Sequence, residues 1–238
     1  MRDRVDIVIL CGGQGRRLRP VLECLAPIHG WTFLDLLLHY LRDFHLNRFI
    51  LCTGYQGEAI EELGNLSDAR EFVFSREDQP LGTAGALKHA EPFIQSDPFL
   101  VLNGASLCEA DLEAFAAFHN DRKAVASVVA SSDAPDAGYG SIEIDTDRRI
   151  TGFSNKASTG RGLSNAGIYF FNRSVLDRIP AGRHCSLEDD LLPALVGSDF
   201  YAFATDAALI DVATPERHDQ AQHLLRLRCE RLTSASER

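Results

Sequence analysis

The chain has 238 residues, of which 45% are hydrophobic and 24% charged, enough for one large α/β domain or two small ones. Its formal net charge of −10 argues against a basic nucleic-acid footprint, although it leaves room for a local basic pocket. No apolar run approaches a membrane span, Met1–Arg4 opens no signal-peptide core, and six scattered cysteines (11, 24, 52, 108, 185 and 229) without a CxxC pair fit reduced thiols in a cytoplasmic protein.

Val5-Asp6-Ile7-Val8-Ile9-Leu10 reads as a buried first strand that runs into a glycine loop. From Thr32 to Leu46 the spacing predicts a helix, with Phe33, Leu37, Tyr40, Leu41 and Phe44 on one face. Thr32 with Asp35 three residues later makes a capping-box start. Arg48–Thr53 is a second strand, Glu58–Leu63 a short helix, Glu71–Ser75 a third strand, Gly82–Ala90 a helix and Pro98–Leu102 a fourth strand. This alternation predicts a parallel sheet with right-handed crossovers. After residue 123 the pattern changes: Val125–Ala130, Ser141–Asp145, Arg149–Phe153 and Gly167–Phe171 are strands with few helices between them. Ile142–Asp145 alternates, as a strand with one wet face does. Helices return at Ser186–Val196 and Thr214–Arg228, the second opened by Thr214-Pro215 as N-cap and first-turn proline. Ser234–Arg238 is expected to fray. With no repeat, linker or low-complexity tract, the simplest division is a single domain over 1–230, with halves at about 1–122 and 123–230 and a tail at 231–238.

Four stretches carry chemical possibilities. In "LCGGQGRRLRP" (10–20), glycines directly after a strand let backbone N–H groups approach phosphate oxygens, and Arg16, Arg17 and Arg19 add cationic forks. The dinucleotide GxGxxG spacing and the P-loop Gly-Lys-Ser/Thr are both absent; the bland alternative is a plain turn with solvated arginines. In "EDQPLGTAGAL" (77–87), Gln79 can pair with a base edge, Gly82 lets a ring lie on backbone and Gly85 permits close helix packing. Taken alone, this stretch is an ordinary loop-to-helix entry. In "SNAGIYFF" (164–171), Asn165 and Gly167 stand at a strand start where hydroxyls can bind, but taken alone the stretch is better explained as a plain strand entry. In "LIDVATPERH" (209–218), Asp211 ends an apolar strand and is either a candidate Mg²⁺ ligand or a solvated or capping carboxylate. A fifth stretch, "LVLNGASLCEADL" (100–112), raises a question. Its strand ends at Asn103-Gly104, where ligands of open α/β sheets collect, yet the next residue, Ala105, offers only a methyl. The cysteines and the eight histidines show no nucleophile or metal spacing.

In order and spacing these motifs resemble the sugar-1-phosphate nucleotidyltransferases, also called NDP-sugar pyrophosphorylases, from Val5 to about Gln222. The likeness is greatest to their bacterial heptose-1-phosphate and mannose-1-phosphate guanylyltransferases. It implies a Rossmann-like, GT-A-like α/β fold: a mostly parallel central sheet flanked by helices, with a smaller mixed β-rich sugar-binding part. It also implies in-line attack of a sugar-1-phosphate oxygen on the α-phosphorus of an NTP, GTP being favoured, with pyrophosphate leaving and Mg²⁺ offsetting charge. Carried over residue by residue, it assigns nucleotide binding to Gly12, Gly13, Gly15, Arg16, Gln79, Gly82, Gly85, Asn103 and Gly104. It assigns the sugar side to Gly140 beside Tyr139, and to Asn155, Asn165, Gly167 and Glu188. Catalytic roles fall to Arg17, Lys156 and Asp211, with Asp211 also the metal ligand.

The departures concentrate on the chemistry. Ala105 stands where the family has its first metal Asp, "VLECLAPIHG" lacks the family's Pro-Lys-Pro lysine, and Asn155 replaces the Glu before Lys156. Arg16 replaces a Thr, and Asp211-Val212-Ala213-Thr214 lacks the usual Gly. Glu109 would have to reach back from beyond the strand end to replace the missing Asp, and Asp111 is placed to cap a helix. A weakened Mg²⁺ site is therefore expected. Two readings follow: a transferase of reduced activity, or a catalytically inactive paralogue that binds nucleotide or nucleotide-sugar as a regulatory or partner subunit. The expected partners are an NTP with a sugar-1-phosphate or a nucleotide-sugar, in a homodimer or alongside an active paralogue; nucleic acid and membrane are not expected. A GT-A glycosyltransferase would want a DxD motif after the fourth strand, and "NGASLCEAD" has none there.

Overall fold

The computed structural model describes residues 5–13, 21–44, 46, 48–64, 71–134, 139–154 and 162–236. Strand β1 (Ile7–Leu10) is followed by a 3₁₀ turn, Glu23–Leu25, and a small hairpin of β2 (Pro27–Ile28) and β3 (Trp31–Thr32). Helix α1 (Phe33–Arg42) starts at the expected capping box: Asp35 N–H donates to Thr32 Oγ1 at 3.1 Å and Thr32 N–H donates to Asp35 Oδ2 at 2.9 Å. The helix stops at Arg42, short of the predicted Leu46. Phe44 still meets Tyr40 edge-on at 5.3 Å, but from a turn, so the apolar spacing is satisfied without another helical turn. Then come β4 (Arg48–Thr53), α2 (Gly57–Gly64), β5 (Glu71–Arg76), α3 (Gly82–His89) and β6 (Phe99–Asn103).

These strands form the parallel order β5-β4-β1-β6. Helices cover such sheets on both faces, which is why β4 is buried along its whole length and the first four residues of β6 are buried. The register sets Leu10 beside both Cys52 and Asn103, so three strands finish flush on one edge. At the opposite end, buried Asp6 accepts from Arg48 Nη1 at 2.7 Å and from Ser96 N–H at 2.9 Å, while Arg48 Nε also reaches Glu71 at 2.8 Å. This network ties β1, β4, β5 and the loop before β6 together.

The second half adds β7 (Ser106–Cys108), α4 (Leu112–Asp121), β8 (Ala126–Ser131), β9 (Ser141–Ile144), β10 (Ile150–Ser154) and β11 (Leu163–Phe171). The nine-residue β11 runs antiparallel to β6, Phe171 beside Phe99, and so continues the sheet into this half. Its other side takes β8 antiparallel, and its first residues take the β9–β10 hairpin. The predicted start of this strand at Gly167 is corrected to Leu163. Gly167 lies inside it, at φ +73, where the register with β8 shifts between Asn165 and Tyr169. After the 3₁₀ turn Arg173–Arg178, the helix predicted over Ser186–Val196 is a π turn, Leu187–Leu191, running into a short α5 (Leu192–Leu195). Strand β12 (Phe200–Thr205), not anticipated, lies parallel to β8, and β13 (Leu209–Asp211) pairs antiparallel with β7.

Helix α6 (Pro215–Ser236) outruns its prediction and takes in most of the segment expected to fray. Trp31 Nε1–H donates to Thr233 Oγ1 at 3.3 Å, and Leu232 packs partly on the core, so the β2–β3 hairpin holds the last turns. Among the described residues no helix is long and apolar enough to cross a membrane.

Candidate active site

Three strand ends meet at one point. From β1 the chain enters Cys11-Gly12-Gly13, with Cys11 N–H donating to Cys52 O at 2.9 Å. From β6 it enters Asn103-Gly104-Ala105, with Gly104 N–H donating to Leu10 O at 3.1 Å. A Cβ on Gly104 would sit 2.7 Å from that same oxygen, so these two ends approach this closely only with glycine there. Asn103 Oδ1 accepts from Ala105 N–H at 3.1 Å, a side-chain-closed turn that fixes the strand exit. From β13, Asp211 lies opposite Ser106, and Val212 N–H donates to Ala105 O at 3.1 Å. The β11 bulge closes the group: a Cβ on Gly167 would meet Ser106 Oγ at 2.7 Å and Asn103 Cβ at 2.9 Å.

A carboxylate that the motifs did not single out also borders this edge. Glu77 follows β5, and its Oε2 accepts from Leu81 N–H at 3.1 Å. Its carboxylate also borders the glycine loop: a Cβ on Gly12 would lie 3.3 Å from Glu77 Oε1, and one on Gly54 3.0 Å from Glu77 Cγ. Partial burial raises its pKa above the ordinary carboxylate value, against the lowering effect of the Leu81 N–H bond. The signal was available, because Glu77 is a carboxylate at a strand's carboxyl end, the argument that singled out Asp211. Gln79, the residue chosen instead, is exposed. Gly82 is at φ +73, and a Cβ there would come within 2.6 Å of Cys185 O; a Cβ on Gly85 would come within 2.8 Å of Arg183 O. The closeness that both glycines permit is thus used by the 183–185 segment, whose Cys185 O accepts from Ala84 and Gly85 N–H.

That segment leads to Glu188, Asn165 and Gly140, the residues expected to face a sugar. Glu188, in the π turn, accepts from Thr83 Oγ1 at 3.0 Å and from Ser186 Oγ at 3.3 Å. Asn165 donates from Nδ2 to Tyr169 Oη at 2.8 Å and accepts Gly167 N–H at 3.0 Å. Burial and the nearby Glu188 charge both push the Tyr169 phenol well up, which places Glu188 and Asn165 in one electrostatic neighbourhood. Gly140 is buried, with Asn165 Cβ 3.7 Å from where its own Cβ would be. Gly15, Arg16, Arg17, Arg19, Asn155 and Lys156 lie outside the described residues.

Asp211 is engaged. Its Oδ1 accepts from Ala213 N–H at 2.8 Å and from Arg217 Nη1, in the first turn of α6, at 3.2 Å. The Arg217 guanidinium carbon stands 4.4 Å from the Tyr139 ring centroid, a cation–π contact. Glu109 does not join them: it pairs with Arg228. Asp111 caps α4, its Oδ1 accepting from Glu113 and Ala114 N–H at 3.0 and 2.9 Å. Among the described residues, no group of three or more His, Cys, Asp or Glu side chains could hold a metal. With Ala105 a methyl and Asp211 paired to a guanidinium, these residues do not fit a divalent ion held between two carboxylates. The thiols here are poor nucleophiles, since a hydrogen bond with Cys24 and then burial raise Cys11, and burial raises Cys52 and Cys108.

Comparison with known proteins decides the family, because the nucleotidyl transferase model matches residues 6–222. The chain belongs to the nucleotidyl transferase family. It is 32% identical over 224 residues to a D-glycero-alpha-D-manno-heptose 1-phosphate guanylyltransferase of Aneurinibacillus thermoaerophilus, covering 92% of this chain and 97% of that one. It is 31% identical over 223 residues to a mannose-1-phosphate guanylyltransferase of Mycobacterium tuberculosis, covering 90% of this chain but 62% of that longer protein. Among solved structures, HddC from Yersinia pseudotuberculosis superposes with a TM-score of 0.81 at 32% identity, over 93% of this chain and 99% of that one. A second structure of that protein is complexed with GMP-PN. The Rossmann-like fold and the family expected from the motifs are therefore borne out.

Proposed function

We propose that this family member is a guanylyltransferase that moves GMP from GTP to a hexose- or heptose-1-phosphate and releases pyrophosphate. The observation that carries the reading is the convergence of the Gly12-Gly13 loop, Asn103-Gly104 and Asp211 at one sheet edge, where α/β folds bind ligands. A phosphate oxygen of the sugar phosphate attacks the α-phosphorus; that P–O bond forms as the bridge to the β-phosphate breaks. Backbone N–H groups of the glycine loop, with Gly15, Arg16 and Arg17, hold the phosphates, and Lys156 neutralises the incoming sugar phosphate. Glu77 reads the base. A carboxylate only accepts hydrogen bonds, and guanine offers it two adjacent N–H donors. Gln79, Gly82 and Gly85 border the nucleoside, and Gly140, Asn155, Asn165, Gly167 and Glu188 the sugar. Mg²⁺, when carried in on the nucleotide, would shield charge on the departing pyrophosphate. This reading places the chain among the soluble nucleotides of the cytoplasm, with its six cysteines free.

A second reading is favoured by one observation, the Ala105 methyl with Glu109 turned to Arg228: an inactive subunit that binds nucleotide-sugar beside a second copy or an active paralogue. Pyrophosphate release, measured with four NTPs against mannose-1-phosphate and D-glycero-α-D-manno-heptose 1-phosphate, separates the two. Release with GTP and one sugar phosphate supports the transferase. No release with any pair, together with retained GDP-sugar binding, supports the subunit.

A further inference from the structure

We propose that Arg217 is the built-in cation of this site, and that its guanidinium binds the phosphates of the nucleotide where a divalent ion would otherwise have to sit. The inference rests on the nucleotide-binding reading above and adds that binding needs no metal. Its basis is the charge balance around Asp211. A divalent ion between two carboxylates makes a neutral group. Here Ala105 removes one carboxylate, and Arg217 balances the one that is left at 3.2 Å. An added divalent ion would leave excess positive charge or displace the guanidinium.

The guanidinium is also well placed and held. It is 19% exposed and Asp211 is 10% exposed, so the pair is little screened by solvent. Tyr139 fixes the guanidinium plane from one side at 4.4 Å. Thr214 Oγ1 accepts Arg217 N–H at 3.3 Å, anchoring the first turn of α6. Through β7–β13 pairing, Asp211 sits opposite Ser106, one residue from the Ala105 exit of β6. A guanidinium carries five N–H donors in a rigid fork, so it can hold Asp211 and a phosphate oxygen together. Tyr139 supplies the second, independent observation. Among the described residues its buried hydroxyl has no hydrogen-bond partner, an unmet donor that a phosphate oxygen beside Arg217 would satisfy. Burial and the Asp211 charge push this phenol up to about 12, so it keeps its proton at neutral pH.

The test is GTP binding by titration calorimetry, without sugar phosphate, in EDTA and again in excess Mg²⁺. The wild-type dissociation constant is expected to change by less than about threefold between the two, whereas Arg217→Gln loses about tenfold or more in EDTA and Arg217→Lys recovers part of it. Ala105→Asp is expected to create metal dependence: Mn²⁺ binds it without nucleotide, read by electron paramagnetic resonance, and GTP affinity falls about tenfold in EDTA. Wild-type binding that collapses in EDTA, or Mn²⁺ bound stoichiometrically by wild type, overturns the proposal and leaves the nucleotide reading standing. If GTP binds under neither condition, both fall. Should Arg217→Gln fail to fold, the EDTA comparison on wild type and Ala105→Asp still decides.

Discussion

Gly167 and Gly13 take the same substitution with opposite expected results. At Gly167→Ala the backbone is left-handed, φ +73, which costs a residue with a Cβ about 1–2 kcal/mol. The new methyl would also lie 2.7 Å from Ser106 Oγ and 2.9 Å from Asn103 Cβ. Relieving two such overlaps in a packed interior costs about 1–3 kcal/mol more. The sum is about 2–5 kcal/mol, or roughly 4–20 °C in Tm for a chain of this size. Because Asn103 must move, GTP turnover falls as well. Removing one obstacle with Ser106→Ala in the Gly167→Ala background should restore about 1 kcal/mol, read as a coupling in a double-mutant cycle. Gly13 is exposed, and a Cβ there would meet nothing within 4 Å among the described residues. Gly13→Ala should therefore leave stability within about 0.5 kcal/mol while weakening GTP binding about tenfold, because a methyl crowds the N–H groups that face phosphate. Thermal melts and GTP titrations on both variants are the assay. A Gly167→Ala protein that melts with wild type refutes the strand-end geometry, and a Gly13→Ala protein that binds GTP like wild type removes the glycine loop from the site.

Glu77→Gln should lower GTP affinity about tenfold and lessen the preference for guanine over other bases, measured by competition among NTPs. Because the ionised carboxylate is the form that accepts the base's donors and its pKa is raised, wild-type GTP affinity should rise with pH through that raised value and then level off. The same titration on Glu77→Gln should lack that rise. Arg48→Met should cost about 3–5 kcal/mol in a denaturant melt, since it leaves the Asp6 carboxylate buried without its cation; adding Asp6→Asn should recover part of the loss. His119 is buried between Ser127 Oγ and Asn172 Oδ1, and burial lowers its pKa. The unfolded chain therefore binds its proton first, so stability should fall as pH drops below about 6.5 and reach its floor below the lowered folded value. His119→Gln should flatten that part of the pH–stability curve.

Where periodicity and burial are local, the chain could be read directly. Arg48–Thr53 and the Thr32–Asp35 box needed only strand composition and capping chemistry, and both are present as expected. The misreadings share a tertiary cause. The β11 start was hidden because Gly167 looks like a boundary, whereas its left-handed turn is a bulge held by Ser106 and Asn103, residues about 60 positions away. The last turns of α6 gain their order from Trp31, at the far end of the chain. Strand β12, buried over its first half, lies on a partner strand that its own sequence does not name. In the site, single residues at strand ends were legible: Asn103, Gly104 and Asp211 converge as the motifs implied. What occupies their side chains was not. That Asp211 faces Arg217, that Glu188 leans on Thr83 and that Glu77 borders Gly12 are contacts between distant segments, with no periodic trace. The gap left by Ala105 was visible as a missing carboxylate; the cation that balances it, six residues beyond Asp211 on the opening turn of a helix, needed the fold.

The measurement that bears most directly on guanylyl transfer is product identity in a stoichiometric reaction. Chain, GTP and each sugar-1-phosphate would be mixed at comparable concentrations and the products read by mass spectrometry. A GDP-sugar is expected from at least one sugar phosphate, with its yield sharply reduced by Asp211→Asn. GTP binding with no GDP-sugar formed, and with product appearing only once Ala105→Asp is introduced, would contradict it and assign the native chain to a non-catalytic role.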